Sequence, residues 1–204
     1  MELVLESLKR LEEYAKSNHI PVIKENTRSL VVSLLQTSRP CAVLEIGTAI
    51  GYSALLMALH LPLDATITTI EIDDKRAALA RTAIANAGLS AEIQVIVGDA
   101  AMVLPELAGP FDFVFIDAAK GQYPVYLEKL LGKLADGAYI VADNVLFRGM
   151  VHSSASIPRR FRTIVRRLQT YLAAVQEDPH FVTTLYEIDD GIAVTRFCKE
   201  TTIL

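Results

Sequence analysis

Short apolar runs rich in β-branched residues alternate with helical segments through the middle of the chain. Runs at residues 42–46, 65–70, 93–97, 111–116 and 138–141 predict strands. Helical patterns separate them at residues 53–60, 73–87, 101–107 and 124–134. Because strands that alternate with helices are joined by right-handed crossovers, they predict a doubly wound α/β fold with a mostly parallel sheet.

The two ends of the chain depart from this alternation. Amphipathic helical patterns at residues 4–15 and 23–35 predict an N-terminal helical cap over residues 1–36, ahead of a core at 37–204. A helix is predicted at 158–174, and strands at 181–188 and 192–197 flank a turn at 189–191. A hairpin there makes the last strand antiparallel. The length of 204 residues suits a single domain.

Two features of the composition predict where the protein resides. No apolar run reaches the ~20 residues of a membrane helix, and the N-terminus lacks the order of a signal peptide. Cys41 and Cys198 are far apart and show no metal-ligand spacing, which predicts two buried thiols. We therefore expect a cytoplasmic protein with no membrane partner.

The charges are unevenly distributed along the chain. Residues 144–176 contain six arginines and no acidic residue, whereas the rest of the chain has 14 basic and 24 acidic residues. On a helical wheel, five of the arginines fall within an arc of about 160°; they are Arg159, Arg160, Arg162, Arg166 and Arg167. This face is typical of phosphate binding, and the alternative is a surface that only confers solubility.

Candidate cofactor residues follow the first two predicted strands, at the sheet edge where α/β proteins bind ligands. The stretch LEIGTAIGYS contains Glu45, Gly47, Gly51 and Ser53. It lacks the middle glycine that a dinucleotide pyrophosphate requires, which favours a nucleoside cofactor such as S-adenosylmethionine. Glu71 follows Gly51 by twenty residues and suits the two ribose hydroxyls.

The third strand is followed by Asp99 and Ala100, which suit an adenine edge. Each of these cofactor features has a simpler explanation when taken alone. A glycine pair also makes a tight strand-to-helix turn, and Asp99 is a common helix cap. Three strand ends with matching chemistry together favour S-adenosylmethionine.

Metal-binding and catalytic candidates follow the fourth and fifth strands. Asp117 follows the fourth strand, and Asp143 and Asn144 follow the fifth. Because adjacent strands lie ~4.8 Å apart, the side-chain oxygens of these residues can bind one Mg²⁺ together. Lys120, three residues after Asp117, is a candidate base for a hydroxyl acceptor. The alternatives are that the acids form caps or turns and that Lys120 is a solvated surface amine.

The motifs LEIGTAIGYS, TIEID, GDA, FIDAAKGQY and ADNVLFRG occur in an order that resembles a known family. They are similar to class I S-adenosylmethionine-dependent, metal-dependent O-methyltransferases of the catechol and caffeoyl-CoA type, from about residue 21 onward. The resemblance implies a Rossmann-like, seven-stranded sheet with extra N-terminal helices, and a homodimer. It assigns Mg²⁺ to Asp117, Asp143 and Asn144, and the catalytic role to Lys120 beside Asp117. The cofactor residues that it implies are Ile23, Glu45, Ser53, Glu71, Ala100 and Asp117.

Within that family, the chain most resembles the bacterial branch that methylates 5-hydroxyuridine at the tRNA wobble position. It has no tryptophan, and Ala119 and Arg148 stand where mammalian catechol enzymes wall their substrate with apolar side chains. An arginine there suits an anionic substrate, so tRNA bound by Arg148 and the five arginines is the predicted acceptor. The alternatives are a small catechol-like or hydroxycinnamoyl-CoA substrate, and a non-catalytic scaffold that binds S-adenosylmethionine.

Overall fold

Helices and strands alternate in the computed structural model, which describes residues 1–153 and 156–200. The α-helices are α1 (Glu2–Ser17), α2 (Glu25–Ser38), α3 (Tyr52–His60), α4 (Asp74–Asn86), α5 (Ala100–Val103), α6 (Tyr123–Leu130) and α7 (Arg162–Glu177). The strands are β1 (Ala42–Ile46), β2 (Thr66–Glu71), β3 (Ile93–Val97), β4 (Phe111–Ile116), β5 (Leu134–Asp143), β6 (Phe181–Tyr186) and β7 (Ile192–Phe197). The strand pairs β1–β2, β2–β3 and β4–β5 are parallel and β7 runs antiparallel to its neighbours β5 and β6, so the predicted Rossmann-like α/β class is confirmed.

The first of two compact units, Met1–Ala100, contains β1, β2 and β3. The strand β2 lies between β1 and β3, and both pairs are parallel. In register, Ile46 stands opposite Ile70 and Glu71 stands opposite Val97. The carboxyl ends of all three strands therefore lie at one edge, and the predicted cofactor residues other than Ile23 and Asp117 lie at or near these ends.

The N-terminal helix α1 packs one face against α3 and α4. Val4, Leu8, Leu11 and Ala15 are buried, as their helical spacing predicts. Burying a leucine side chain contributes about 1.5–3 kcal/mol, so this apolar face fixes α1 against the unit. The second helix begins at Glu25, two residues later than predicted, after an extended residue.

The second unit, from Ala101 onward, contains β4 to β7 in the order β4-β5-β7-β6. The strands β4 and β5 are parallel, and their pairing ends with Ile116 opposite Ala142. The hairpin predicted at residues 189–191 is confirmed. Gly191 adopts a φ of +81°, and its N–H donates to the Ile188 carbonyl at 2.8 Å.

The predicted boundaries of α6 and β5 are wrong. The helix predicted at 124–134 ends at Leu130, and β5 begins at Leu134 instead of residue 138. Leu134 pairs with Phe111 of β4, and the Lys133 amine donates to the Leu107 carbonyl at 2.6 Å. These contacts, made with residues far away in the chain, end the helix early.

The helix predicted at 101–107 is also shorter than expected. The helix α5 ends at Val103, and a 3-10 turn follows at Leu104–Glu106. Pro105 explains the difference because it has no N–H to continue the α-helical hydrogen bonds.

The prediction of two buried thiols is wrong, because Cys41 is exposed and Cys198 is partly exposed. Cys41 immediately precedes β1, outside the buried part of that strand. Within the described ranges, none of the helices is both long and apolar enough to cross a membrane.

Candidate active site

The loop between β1 and α3 folds back onto the end of β2. The Gly47 N–H donates to the Ile70 carbonyl at 2.9 Å, and the Gly51 N–H donates to the Thr48 carbonyl at 2.9 Å. Both glycines have a left-handed backbone, with φ of +105° and +87°. A Cβ on Gly51 would also lie 3.1 Å from the Ala80 Cβ. Conformation and space therefore both favour glycine at position 51.

Glu71, the last residue of β2, is a buried carboxylate held by this loop. Its Oε2 accepts from the Ala49 N–H at 2.8 Å, and its Oε1 accepts from the Asp73 N–H at 2.9 Å. The Arg76 guanidinium lies 3.6 Å from Oε1. A carboxylate has about four acceptor sites, so two hydrogen bonds leave capacity for two ribose hydroxyls.

The neighbouring strand ends carry other predicted cofactor residues. Glu45 is fully buried near the end of β1 and accepts from the Thr69 hydroxyl at 2.5 Å. The Gly98 N–H donates to the last carbonyl of β2 at 2.9 Å. This hydrogen bond places the chain that continues into Asp99 and Ala100 beside the end of β2.

The start of α3 is tied to the N-terminal helices by a cluster that the sequence did not reveal. The Tyr52 hydroxyl donates to Glu12 Oε1 at 2.5 Å and accepts from the Arg28 guanidinium at 3.2 Å. Ser53 follows in the same helical turn and is partly buried. Ile23 lies in the segment between α1 and α2, and its cofactor role stays a prediction.

In the second unit, the end of β4 carries a close pair of opposite charges. The Lys120 Nζ lies 2.5 Å from Asp117 Oδ1, and the lysine side chain is only 16% exposed. The same amine lies 5.5 Å from the centre of the Tyr123 ring. Lys120 is therefore a sheltered amine with defined partners, and the alternative of a solvated surface lysine is wrong.

The end of β5 supplies a second carboxylate. Asp143 is buried, and its Oδ1 accepts from the Asn144 N–H at 2.7 Å and from Asn144 Nδ2 at 3.0 Å. Burial and, to a smaller extent, the negative charge of Asp117 raise the pKa of Asp143 to about 6, although the positive charge of Lys120 and the hydrogen bond from the Asn144 N–H oppose the rise. The ends of β4 and β5 thus bring both acids and the amine within electrostatic range of one another.

The donor set at these strand ends fits a hard divalent cation. Carboxylate and amide oxygens are the ligands that Mg²⁺ prefers. Burial first, and the negative charge of Asp117 second, raise the pKa of Asp143, and a divalent cation beside the carboxylate would offset both effects. Among residues 1–153 and 156–200, no three His, Cys, Asp or Glu side chains form a group that could hold a metal ion. The proposed set of metal ligands therefore needs Asn144 as its third member.

The loop that follows β5 has an unusual backbone conformation, which the turn between β6 and β7 holds in place. Asn144, Phe147 and Arg148 have φ of +57°, +44° and +60°, in a region that costs a non-glycine residue free energy. The Leu146 N–H donates to the Asp190 carbonyl at 3.0 Å, and the Arg148 N–H donates to the Asp190 carboxylate. The hairpin turn therefore fixes the position of Arg148.

We expect Gly191→Ala to lower the free energy of unfolding by at least about 2 kcal/mol. Gly191 has a φ of +81°, and an added Cβ would lie 2.2 Å from Leu146 Cγ, so the loop after β5 would have to move. Urea unfolding measures the loss. Gly132→Ala is the matched control because its Cβ would meet no atom within 4 Å. Equal stability of the two variants would contradict this account of the turn.

Two guanidinium groups lie near one aromatic ring. The Arg160 Cζ lies 4.6 Å and the Arg148 Cζ 5.6 Å from the ring centre of Phe161. The Phe147 ring meets the same ring edge-on at 5.4 Å. The sequence did not single out Phe161, because a phenylalanine on the apolar side of a helix carries no signal of such stacking. These contacts orient two positive charges beside the loop that follows Asn144.

The arginine face of α7 and of the 3-10 turn before it is exposed, as predicted. Val165, Leu168 and Leu172 are buried on the opposite side of the helix. Within the part of the chain that the structure describes, no acidic side chain forms an ion pair with the face residues Arg159, Arg160, Arg162, Arg166 and Arg167.

Comparison with known proteins identifies relatives of this chain. The sequence profile of the O-methyltransferase family matches residues 2–198. A catechol O-methyltransferase of Niastella koreensis is 40% identical over 133 residues, which are 63% of this chain and 60% of that protein. A caffeoyl-CoA O-methyltransferase of Stellaria longipes is 33% identical over 154 residues, 72% of this chain and 64% of that protein. Each match thus spans less than two thirds of the relative.

A solved structure extends the likeness to nearly the whole fold. The O-methyltransferase of Bacillus cereus in complex with SAH superposes with a TM-score of 0.84 at 26% identity, covering 94% of this chain and 90% of that one. The family profile, the relatives and the fold point in the same direction. The chain therefore belongs to the O-methyltransferase family.

Proposed function

We propose that this chain is an S-adenosylmethionine- and Mg²⁺-dependent O-methyltransferase that converts 5-hydroxyuridine at the tRNA wobble position to 5-methoxyuridine. Membership of the family supports methyl transfer to oxygen. The observation that carries the proposal is the contact of Lys120 with Asp117 at the end of β4, within electrostatic range of the buried Asp143. This arrangement combines a sheltered amine with two carboxylates.

The first unit supports S-adenosylmethionine as the methyl donor. The glycine loop after β1 allows close approach of the backbone, and Glu71 keeps acceptor capacity for ribose hydroxyls. The Bacillus cereus relative was solved in complex with SAH. Asp99 and Ala100 would then face the adenine, and Glu45 and Ser53 would line the remainder of the site.

The second unit supports transfer to a hydroxyl oxygen. With Lys120 as the neutral amine, the acceptor O–H would give its proton to Nζ while its oxygen attacks the methyl carbon, and the breaking C–S bond would leave S-adenosylhomocysteine. Asp117 orients the amine through their 2.5 Å contact. Mg²⁺ held by Asp117, Asp143 and Asn144 would supply positive charge that favours the ionised acceptor. A hydroxyl beside a second oxygen, as in 5-hydroxyuridine or a catechol, suits such an ion.

The arginines support an acceptor that carries phosphates. The five arginines of the α7 face are exposed and lack acidic partners among the described residues, and Arg148 and Arg160 are stacked on Phe161. A surface that serves only solubility usually mixes both signs of charge. An arginine face of a single sign is typical of contact with a nucleic-acid backbone.

A second acceptor class is favoured by the relatives. Those named above are a catechol and a caffeoyl-CoA O-methyltransferase. Because coenzyme A also carries phosphates, the arginine face alone does not separate a CoA thioester from tRNA. A non-catalytic scaffold that binds S-adenosylmethionine is a third class. The single domain, homodimer and cytoplasmic location predicted above stay predictions.

The test is methyl transfer by the purified protein with Mg²⁺ and three acceptors. These are tRNA that bears wobble 5-hydroxyuridine, catechol and caffeoyl-CoA, and mass spectrometry detects the products. Methylation of the tRNA but not of catechol supports the proposal. Methylation of catechol or caffeoyl-CoA without any on tRNA replaces it with the second class. Binding of S-adenosylmethionine with no turnover on any acceptor favours the scaffold.

We expect the triple variant Arg159→Gln, Arg166→Gln, Arg167→Gln to raise the KM for tRNA at least about tenfold and to reduce the salt dependence of binding. Each lost phosphate contact lowers the slope of log K against log salt by about 0.7–0.9. The matched control removes three exposed cations from α1 by Lys9→Gln, Arg10→Gln and Lys16→Gln. Filter binding over a salt series checks the prediction, and an equal effect of the two triples would rule out a specific RNA face.

A further inference from the structure

Tyr123, at the start of α6, is fully buried and bridges two strand ends. Its hydroxyl lies 3.1 Å from the Ile116 carbonyl oxygen and 2.9 Å from the Asp143 carbonyl oxygen. A phenol has a single proton, so the hydroxyl shares that proton between the two acceptors. One side chain from a helix thus contacts the last residues of both β4 and β5.

These two carbonyls belong to the last residue of β4 and the last residue of β5. The β4–β5 register ends with Ile116 opposite Ala142, and the next residues are Asp117 after Ile116, and Asp143 followed by Asn144 after Ala142. Among the described residues, the pairing of β4 with β5 does not extend past that pair, so the Tyr123 hydroxyl supplies the next link between the two strands. The distance between the carboxylates of Asp117 and Asp143 depends on the separation of these ends.

The ring of the same tyrosine lies beneath the proposed base. Lys120 Nζ is 5.5 Å from the ring centre, within the range of a cation–π contact. Burial raises the pKa of Tyr123 well above its usual value, and the charges of Asp117 and Asp143 add to that rise. The phenol therefore keeps the proton that it donates.

We propose that Tyr123 is a positioning residue whose hydroxyl sets the spacing of the metal ligands at the ends of β4 and β5. The inference rests on the proposed function, because it requires Asp117, Asp143 and Asn144 to bind a divalent cation. Tyr123 touches neither the cofactor nor the acceptor in this role. It acts through the backbone of the strand ends that carry the proposed metal ligands.

The chain offers a matched control in Tyr171 of α7. This residue is also fully buried, and its ring meets the Tyr123 ring edge-on at 5.6 Å. Unlike the hydroxyl of Tyr123, that of Tyr171 has no hydrogen-bond partner within residues 1–153 and 156–200. Tyr171→Phe removes a hydroxyl from the same aromatic cluster without removing a link between the strands.

The test measures Mn²⁺ binding to Tyr123→Phe by electron paramagnetic resonance, with Mn²⁺ as the probe for the site. Removing a residue that supports metal ligands typically weakens metal affinity 10- to 100-fold, so we expect the Kd for Mn²⁺ to rise at least about tenfold. Tyr171→Phe should bind Mn²⁺ as tightly as the unchanged protein. The KM for Mg²⁺ should rise in Tyr123→Phe, while its Kd for S-adenosylmethionine, measured without metal, stays within about twofold.

The outcomes separate this inference from the proposed function. Unchanged Mn²⁺ affinity in Tyr123→Phe overturns the positioning role and leaves the proposed function intact. Absence of Mn²⁺ binding in the unchanged protein overturns the metal site and this inference with it. Loss of folding in Tyr123→Phe, judged by circular dichroism, would make the hydroxyl a general structural element and also overturns the proposal. Restored affinity with 3-fluorotyrosine at position 123 would support it.

Discussion

Replacing Asp143 by asparagine is expected to lower methyl transfer at least about a hundredfold and, near pH 7, to stabilise the metal-free protein by on the order of 2–3 kcal/mol. Activity falls because a proposed metal ligand loses its charge. Stability rises because burial, aided by the charge of Asp117, raises the pKa of Asp143 from 3.8 to about 6. Keeping this carboxylate ionised lowers the free energy of unfolding of the metal-free protein, and bound metal is expected to offset that loss.

The sign of this change in stability follows from proton linkage. Between pH 3.8 and about 6, the folded state binds the Asp143 proton more tightly than the unfolded state does. The free energy of unfolding therefore falls as the pH rises through that window, and the deficit remains above it. Asp143→Asn should remove this pH dependence, since an amide does not titrate.

Urea unfolding of the metal-free protein at several pH values checks this expectation. Asp64→Asn is the matched control, because Asp64 is exposed and should change neither stability nor activity. A variant at position 143 that is less stable than the unchanged protein at neutral pH would show that the carboxylate is held by favourable contacts. That result would contradict the account in which burial and the charge of Asp117 disfavour the ionised carboxylate.

Replacing Lys120 by methionine is expected to reduce kcat by about 10²- to 10⁴-fold, the usual contribution of a general base. Methionine keeps much of the apolar bulk of the side chain but cannot accept the proton of the acceptor hydroxyl. Binding of S-adenosylmethionine should remain, because all the residues proposed to hold it except Asp117 lie in the first unit, and Asp117 itself is unchanged. Loss of the amine also leaves the Asp117 carboxylate without its 2.5 Å partner, so the pH dependence of any residual activity should change.

Single-turnover rates and calorimetric cofactor binding measure this effect. Lys9→Met, an equivalent change at an exposed lysine of α1, should behave like the unchanged protein. A Lys120→Met rate within about threefold of normal would exclude the proposed base. A loss of cofactor affinity as large as the loss of rate would instead place Lys120 in ground-state binding.

Several elements could be predicted from local pattern alone. The bounds of β1, β3, β4 and β7 agree with the apolar, β-branched runs, because such runs are short and bounded by turn-forming residues. The buried face of α1 follows from its spacing of apolar residues. Asp73 caps α4, accepting from Lys75 and Arg76 N–H groups, as an aspartate ahead of a helix often does.

The start of β5 could not be predicted in this way. The stretch Leu134 to Gly137 resembles a turn, because it contains aspartate and glycine. It nevertheless belongs to the strand, since Leu134 pairs with Phe111 across an irregularity in the register. The free energy gained by pairing with a distant strand exceeded the local preference of these residues for a turn.

The sequence by itself determined the order of strands and helices, the carboxylates and lysine that follow the strands, and the charge of α7, because these depend on residue type and short spacing. Only the tertiary structure decided that Lys120 is sheltered against Asp117, that Tyr123 bridges β4 and β5, and that Tyr52 joins Glu12. The physical reason is that burial and hydrogen-bond partners depend on residues that are far apart in the sequence and that the fold brings together. Tyr52 and Glu12, for example, are 40 positions apart.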